Sequence, residues 1–333
     1  MRRLLADALQ RNGFTVIAAV EDGDQALKAC RELHPDVLTL DLAMPGLDGI
    51  GVLRGLREES SPIPVVVVSA FSPAHGARAV DALAEGAVDL VAKPAAGEAL
   101  QSFLSELGEK VRLAAASRRV RPVPRLAPIA TPPRRSARPA RPVRPVRPRT
   151  VLIACSTGGP RALAELLPKL PSPLGAGALI VQHMPPGFTG SLADRLDRAS
   201  VLNVREASSG DRFDPRTVLV APGGQHLRIR PDKTTALDEN APVGGLRPRA
   251  DLTIVDAAKI FGPDLLLVVL TGMGKDGLEG AREVRRCGGR ILAEAESSCT
   301  VYGMPRAIVE ANLADGVHDL SRLPEAIAAE AGA

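Results

Sequence analysis

One stretch of this chain cannot belong to any core. Residues 118–149 hold 11 arginines and nine prolines, with no lysine and no acidic residue, as in RPARPVRPVRPR. A segment so charged and so rich in proline has little to bury and favours an extended, polyproline-like backbone. It divides the 333 residues into two units, each long enough for its own core. The expected boundaries are a first unit at 1–110, a linker at 111–149 and a second unit at 150–330. Overall charge is +4, so removing the eleven arginines leaves the remainder at −7. The basic character is local, which argues against nucleic acid as a partner of the folded parts. The linker reads as a solvated spacer, with contact to an anionic surface as the alternative.

On both sides of the linker, apolar runs alternate with helical patterns. FTVIAAV, DVLTLDL, PVVVVSA and VDLVAKP precede it, with helices expected near Asp24, Gly49 and Ala77. TVLIACS, GALIVQHM, VLNVREA, TVLVAPG, HLRIR, LLLVVLTG and RILAEAE follow it, with helices near Pro160–Leu170, Thr189–Ala199, Gly277–Arg286 and Pro305–Ala311. Such alternation predicts parallel sheets covered on both faces. Residues 203–230 read as a hairpin-like interruption. Aromatic residues are only 2%, so Leu, Val, Ile and Ala must fill the cores. No apolar run reaches membrane-spanning length, and the N-terminus lacks a signal peptide's apolar core. A cytoplasmic monomer without membrane insertion is expected. The four cysteines lie far apart with no CxxC, so neither a disulfide framework nor a zinc site is expected.

In the first unit, three strand ends carry chemistry. Asp41 closes DVLTL, Ser69 closes PVVVVS, and Lys93 follows VDLVA. A carboxylate that attacks, a lysine that neutralises phosphoryl charge and a hydroxyl that turns toward the new oxygens can form a phosphoryl-accepting site. Each residue alone is an ordinary turn or cap; the combination at these spacings is specific. This half resembles the receiver domain of response regulators. By that resemblance Asp41 matches the phosphoacceptor, Ser69 the switch hydroxyl and Lys93 the motif's lysine. Receivers open with a strand that ends in two acidic residues holding Mg²⁺, whereas this chain starts in the helix that follows, MRRLLADALQ. In the flavodoxin-like order 2-1-3-4-5 the absent strand is interior, so two exposed edges and a slot in the core are expected. A start internal to a longer product is the expectation, with a decayed receiver as the alternative. For the chain as it stands, Mg²⁺-dependent phosphorylation of Asp41 is expected to be poor.

In the second unit, Ser156 occupies a strand-to-helix turn, TVLIA-CSTGGP-RALAELL. Gly158 and Gly159 permit the turn, Pro160 suits a first helical turn, and the helix N-terminus favours negative charge. A serine hydroxyl needs a base. His183 follows GALIVQ and precedes Pro185-Pro186, and Asp276 lies in TGMGKDG after another apolar run. All three would share the carboxyl-end rim of one sheet, and triads are recognised by geometry rather than chain order. Amides near Thr157 and Met273 are candidates for an oxyanion hole.

Bland readings compete for each residue. Ser156 suits a helix N-cap, His183 a loop histidine, and Asp276 a cap for the helix near Gly277. His34, His75, His226 and His318 fit the base role less well. Cys155 is a rival nucleophile, expected to point toward the core. Gly272, Gly274 and Gly277 also match G-x-G-x-x-G, with Glu294 and Glu296 beyond, so a dinucleotide-binding oxidoreductase is a second reading. The motif's late position and the carboxylate of Asp276 count against it. A non-catalytic signalling adaptor is a third reading, and it leaves Ser156 and His183 without a task.

CSTGGP, VQHMPPGFT, VAPGGQHL, LTGMGKDG and SSCTVYGMP occur in this order behind the receiver-like unit and the linker. Together they resemble the chemotaxis protein-glutamate methylesterase (CheB) family. The resemblance implies a doubly wound, mostly parallel α/β catalytic domain behind a flavodoxin-like receiver. It implies hydrolysis of glutamate methyl esters, and deamidation of glutamines, on chemoreceptor helices. Ser156 becomes the nucleophile, His183 the base, Asp276 its orienter, and Thr157 and Met273 fall where oxyanion amides are supplied. No cofactor is implied for catalysis, Mg²⁺ serves only receiver phosphorylation, and a chemotaxis histidine kinase is the implied phosphodonor. Where the family usually has Gly-Ala before the serine, this chain has Ala154-Cys155.

Overall fold

The computed structural model describes residues 2–70, 73–94, 100–117 and 147–332. The Arg/Pro stretch at 118–146 lies outside the described residues. The N-terminal unit runs α1 (Arg2–Arg11), α2 (Gly23–Leu33), β1 (Leu38–Asp41), α3 (Gly49–Glu58), β2 (Val65–Ser69), α4 (Pro73–Ala84), β3 (Asp89–Ala92) and α5 (Leu100–Ser117). Helix α5 continues past the boundary expected at 110. The C-terminal unit begins β4 (Thr150–Cys155), α6 (Gly159–Leu166), β5 (Ala178–Gln182), α7 (Thr189–Ala199), β6 (Asn203–Glu206), β7 (Thr217–Val220), β8 (His226–Ile229) and β9 (Thr235–Asp238). It ends α8 (Ala250–Phe261), β10 (Leu265–Val269), α9 (Leu278–Arg286), β11 (Arg290–Glu294), α10 (Met304–Glu310), β12 (Gly316–His318) and α11 (Leu323–Ala331).

Seven parallel strands in the order β12-β11-β10-β4-β5-β7-β6 form the C-terminal sheet. Its central strands β4, β5 and β10 are buried along their whole length. That is why TVLIAC, ALIVQ and LLLVV read as unbroken apolar runs rather than alternating ones. One face packs against α6, α7 and α11, the other against α8, α9 and α10. The chain winds from β4 outward through β5, then returns to β10 on β4's other side. This reversal is the switch point where open α/β sheets hold ligands.

The expected hairpin at 203–230 is corrected. Strands β6 and β7 both join the main sheet in parallel, and the antiparallel pair is β8–β9, further along. The short connection between β6 and β7 is held by that hairpin: Gly210 N–H donates to Thr235 O at 2.8 Å, and Asp211 N–H to Thr235 Oγ1 at 3.1 Å. Helices α8 and α11 and strand β12 were not anticipated.

The N-terminal sheet has three parallel strands, β1-β2-β3. Asp22 and Asp48 cap α2 and α3, accepting from Gln25 N–H and Gly51 N–H at 2.9 Å each. FTVIAAV, expected as a strand, forms no ladder. Among the described residues no strand pairs with it. Between it and the free edge of β1 lies a cavity of about 990 Å³, lined by Leu9, Phe14, Val16, Cys30, Leu40 and Val111 among others. This is the slot expected from the sequence.

The two units touch through α4, which packs on α6 and α7, where Arg195 Nη1 donates to Asp81 Oδ1 at 2.5 Å. They also meet at the start of β3, where Val88 and Asp89 reach the C-terminal unit's strand-end rim.

Candidate active site

Ser156 follows directly on β4, and two backbone hydrogen bonds and two from a glutamine side chain tie its loop to its neighbours. Ser156 N–H donates to Thr271 O at 3.0 Å, at the root of the TGMGKDG turn. His183 N–H donates to Cys155 O at 3.1 Å. Gln182 Nε2, from the end of β5, bonds both Ser156 O at 3.0 Å and His183 O at 2.9 Å. The loops after β4, β5 and β10 are thereby laced together at the switch point. Gly272 is obligatory in this arrangement, because a Cβ there would sit 2.9 Å from Ser156 Cβ. Gly158, at φ +79°, caps α6 where a Cβ would meet Thr300 at 2.5 Å. Ser156 is therefore not the N-cap, and its half-buried side chain is left for other work.

His183 and Asp276 form a direct pair, His183 Nε2 to Asp276 Oδ2 at 2.8 Å, with both side chains nearly excluded from solvent. The pairing leaves Nδ1 as the free ring nitrogen. Asp276 also takes backbone N–H bonds from Ala250 at 2.7 Å, Asp251 at 3.0 Å and Gly277 at 3.0 Å. Burial opposes its ionisation, but the His183 hydrogen bond and charge and the amides of Asp251 and Ala250 outweigh that. The carboxyl is held well below the usual carboxylate range. Asp276 thus is a helix cap, for α8 as well as beside α9, and orients His183 with the same two oxygens.

Cys155 lies fully buried beneath the site, its thiol donating to Gln182 Oε1 at 3.1 Å. Burial, with the Glu294 charge, pushes the thiol far above its ordinary value, so it has little thiolate to offer as a nucleophile. Among the described residues the amides of Thr157 and Met273 have no hydrogen-bond partner, which leaves both available to an oxyanion. Glu294 is fully buried and accepts from Thr271 N–H at 2.8 Å and Ser298 Oγ at 3.0 Å. Both donors come from the protein itself, so the Glu294 carboxylate is already engaged.

Sequence reasoning missed Asp251 and Arg249, which stand at the N-terminus of α8 and contact Asp276. It also missed Asp89, whose Oδ2 accepts from Thr157 Oγ1 at 2.5 Å, while Val88 O accepts from Gly158 N–H at 3.2 Å. A cleft of about 540 Å³ opens beside this contact, between Ser61–Pro64 and the rim residues Thr271, Glu294 and Thr300.

At the far end of the N-terminal sheet, Lys93 Nζ bonds Asp41 Oδ2, and Ala43 N–H donates to Asp41 Oδ1 at 3.1 Å. Ser69 closes β2 beside them, buried. Among the described residues no group of three or more His, Cys, Asp or Glu is placed to hold a metal ion. The donor set around Asp41 does not fit Mg²⁺, and no step through it follows. No helix among the described residues is long and apolar enough to cross a membrane.

Comparison with known proteins completes this picture. The sequence profile of the CheB methylesterase family matches residues 151–327, and that of the response regulator receiver domain matches residues 1–105. A protein-glutamate methylesterase/protein-glutamine glutaminase of Symbiobacterium thermophilum is 43% identical over 100% of this chain and 94% of its own length. Its counterpart in Thermotoga maritima is 38% identical over 98% of this chain and 94% of its own length. The crystal structure of the Thermotoga maritima CheB methylesterase catalytic domain superposes with a TM-score of 0.53 at 42% identity, covering 54% of this chain and 97% of that one. With its serine, histidine and aspartate loops converging on one rim and a receiver-like unit resting beside them, the chain belongs to the CheB methylesterase family, with a response regulator receiver domain ahead of the methylesterase domain.

Proposed function

We propose that this chain hydrolyses the γ-methyl esters of glutamate side chains on chemoreceptor helices, and deamidates glutamines there, with Ser156, His183 and Asp276 as its catalytic set. The observation that carries this reading is the His183–Asp276 pair at 2.8 Å on a loop bonded to the residue before Ser156. Ser156 Oγ attacks the γ-carbonyl carbon and passes its proton to His183. The negative charge that builds on the carbonyl oxygen is met by the amides of Thr157 and Met273, each such donor being worth about 3 kcal/mol. Collapse expels methanol, or ammonia from glutamine, which takes the proton back from His183. Water then attacks the acyl-serine with His183 again as base, and glutamate leaves. Among the described residues Ser156 Oγ has no hydrogen bond of its own; such contacts commonly tighten only once substrate is bound.

The receiver acts as a cover over this rim. It sets a carboxylate and a backbone carbonyl, from Asp89 and Val88, against Thr157 and Gly158, where incoming negative charge would have to sit. Asp41 is the candidate phosphoacceptor, with Ser69 and Lys93 as its switch residues and a chemotaxis histidine kinase as donor. Methanol release from methylated receptor tests the whole reading. Wild-type chain should release it and Ser156→Ala should not, while both still bind receptor; turnover by Ser156→Ala removes the serine from its role.

A further inference from the structure

Asp276 is not the only carboxylate built into this rim. Asp251, in the first turn of α8, is 7% exposed. Its Oδ1 accepts from Gly277 N–H and Gly280 N–H at 2.9 Å each, at the start of α9. Asp276, just before α9, accepts from Ala250 N–H and Asp251 N–H at the start of α8. Each carboxylate therefore caps the helix that the other one introduces, and Gly277 N–H is shared between them. Arg249 bridges the two: Nη2 lies 2.9 Å from Asp251 Oδ2 and Nε 3.3 Å from Asp276 Oδ1. The Arg249 backbone is itself fixed, donating its N–H to Nδ1 of the fully buried His226 at 3.2 Å.

A helix cap does not require a charge, since Ser, Thr or Asn would serve. Here a second buried anion stands beside the first. Burial, together with the Asp276 charge, raises the Asp251 carboxyl above its usual value. A fold has no structural reason to keep such a like-charge pair, and the guanidinium needed to balance it, at this spot. The turn being held supplies the reason, because Thr271–Gly277 carries both Asp276 and the Met273 amide.

We propose that Asp251 is a positioning residue for the esterase reaction: through Gly277 and Arg249 it fixes the turn that presents Asp276 and the Met273 amide, and it sets the charge felt by the His183–Asp276 pair. This rests on the Ser156–His183–Asp276 reading. The other charged groups nearby are Lys275, exposed on the same turn, Glu294 beneath Thr271, and Asp89 of the receiver at Thr157.

The test follows methanol release from a peptide bearing a glutamate γ-methyl ester, across pH, using the full chain. Asp251→Asn keeps an acceptor for Gly277 and Gly280 but removes one negative charge and frees Arg249 for Asp276. Both changes take negative charge away from the His183–Asp276 pair, so the acid limb of kcat/KM should move to lower pH. The value of kcat should fall about ten- to a hundredfold, with KM within about twofold and an unchanged thermal midpoint. Arg249→Gln leaves both carboxylates but removes their balance, so its acid limb should move the opposite way, to higher pH. Opposite displacements are not what two damaged caps would produce. The proposal is overturned if both acid limbs stay at the wild-type position, or if the losses in kcat merely follow the thermal midpoint. An inert Ser156→Ala alongside an unaffected Asp251→Asn would refute the positioning role alone. Turnover by Ser156→Ala would refute the triad beneath it.

Discussion

In the methylesterase domain β4 has a hydrogen-bonded strand on each side, β10 and β5, whereas in the receiver β1 has only β2. Both sheets are parallel and both use Val- and Leu-rich strands, so the difference is one of partners rather than of composition. Where the neighbours are present, TVLIAC and LLLVV are buried to the last residue. Beside β1, FTVIAAV keeps its apolar sequence but forms no strand, and a cavity of about 990 Å³ stands next to it. The loops of Ser156, His183 and Asp276 are anchored on the seven-stranded sheet, and Asp41 and Lys93 on the three-stranded one. A β-strand is a relation between segments, and apolar residues alone do not create it.

The largest effect expected from this contrast is chemical. Asp276→Asn should lower turnover about a thousandfold or more, because a neutral amide cannot hold His183 in the required tautomer. A small loss, seen by methanol release, would mean that the seven-stranded half does not carry the reaction as described. Next, Leu267→Ala in the middle of β10 should cost about 2–5 kcal/mol in denaturant unfolding, since its fully buried site cannot collapse. Asp89→Ala should then raise basal turnover about tenfold by loosening the contact with Thr157, a shift of the size common for two-state interfaces. Lower or unchanged activity in that variant would mean that the receiver does not restrain the rim there. The smallest effect is Leu9→Ala, which removes methyl groups that already face the receiver cavity and should cost about 2 kcal/mol, the low end for such truncations. A cost equal to that of Leu267→Ala would show a tightly packed slot, and the contrast between the halves would fail.

How much was legible in the sequence follows the same line. Ser156 and His183 directly follow apolar runs and Asp276 follows one by a short turn, and a parallel sheet brings such ends to one rim, so the convergence of their loops could be read from the sequence. The cavity beside β1 was likewise expected. Asp251 and Arg249 were not, because they close the irregular stretch APVGGLRPRAD rather than a strand. A signal did exist: Ala250, Ile254, Ala257 and Phe261 recur at helical spacing, with an acid in the first turn. Residues 203–230 misled because β6 and β7 pair in parallel within the main sheet beside β5, and the antiparallel pair β8–β9 comes only afterwards. Asp89 could not be anticipated at all, since its role depends on how one domain rests on the other.

Strand β3 is only four residues long, yet Asp89, held by Thr157, opens it and Lys93, held by Asp41, follows it directly. It is locked in register to Val66–Ser69. A displacement of the lysine that moved the strand as one piece would be felt beside Ser156. The receiver would then speak to the esterase along a push-rod, with no need for the domains to separate before the message arrives.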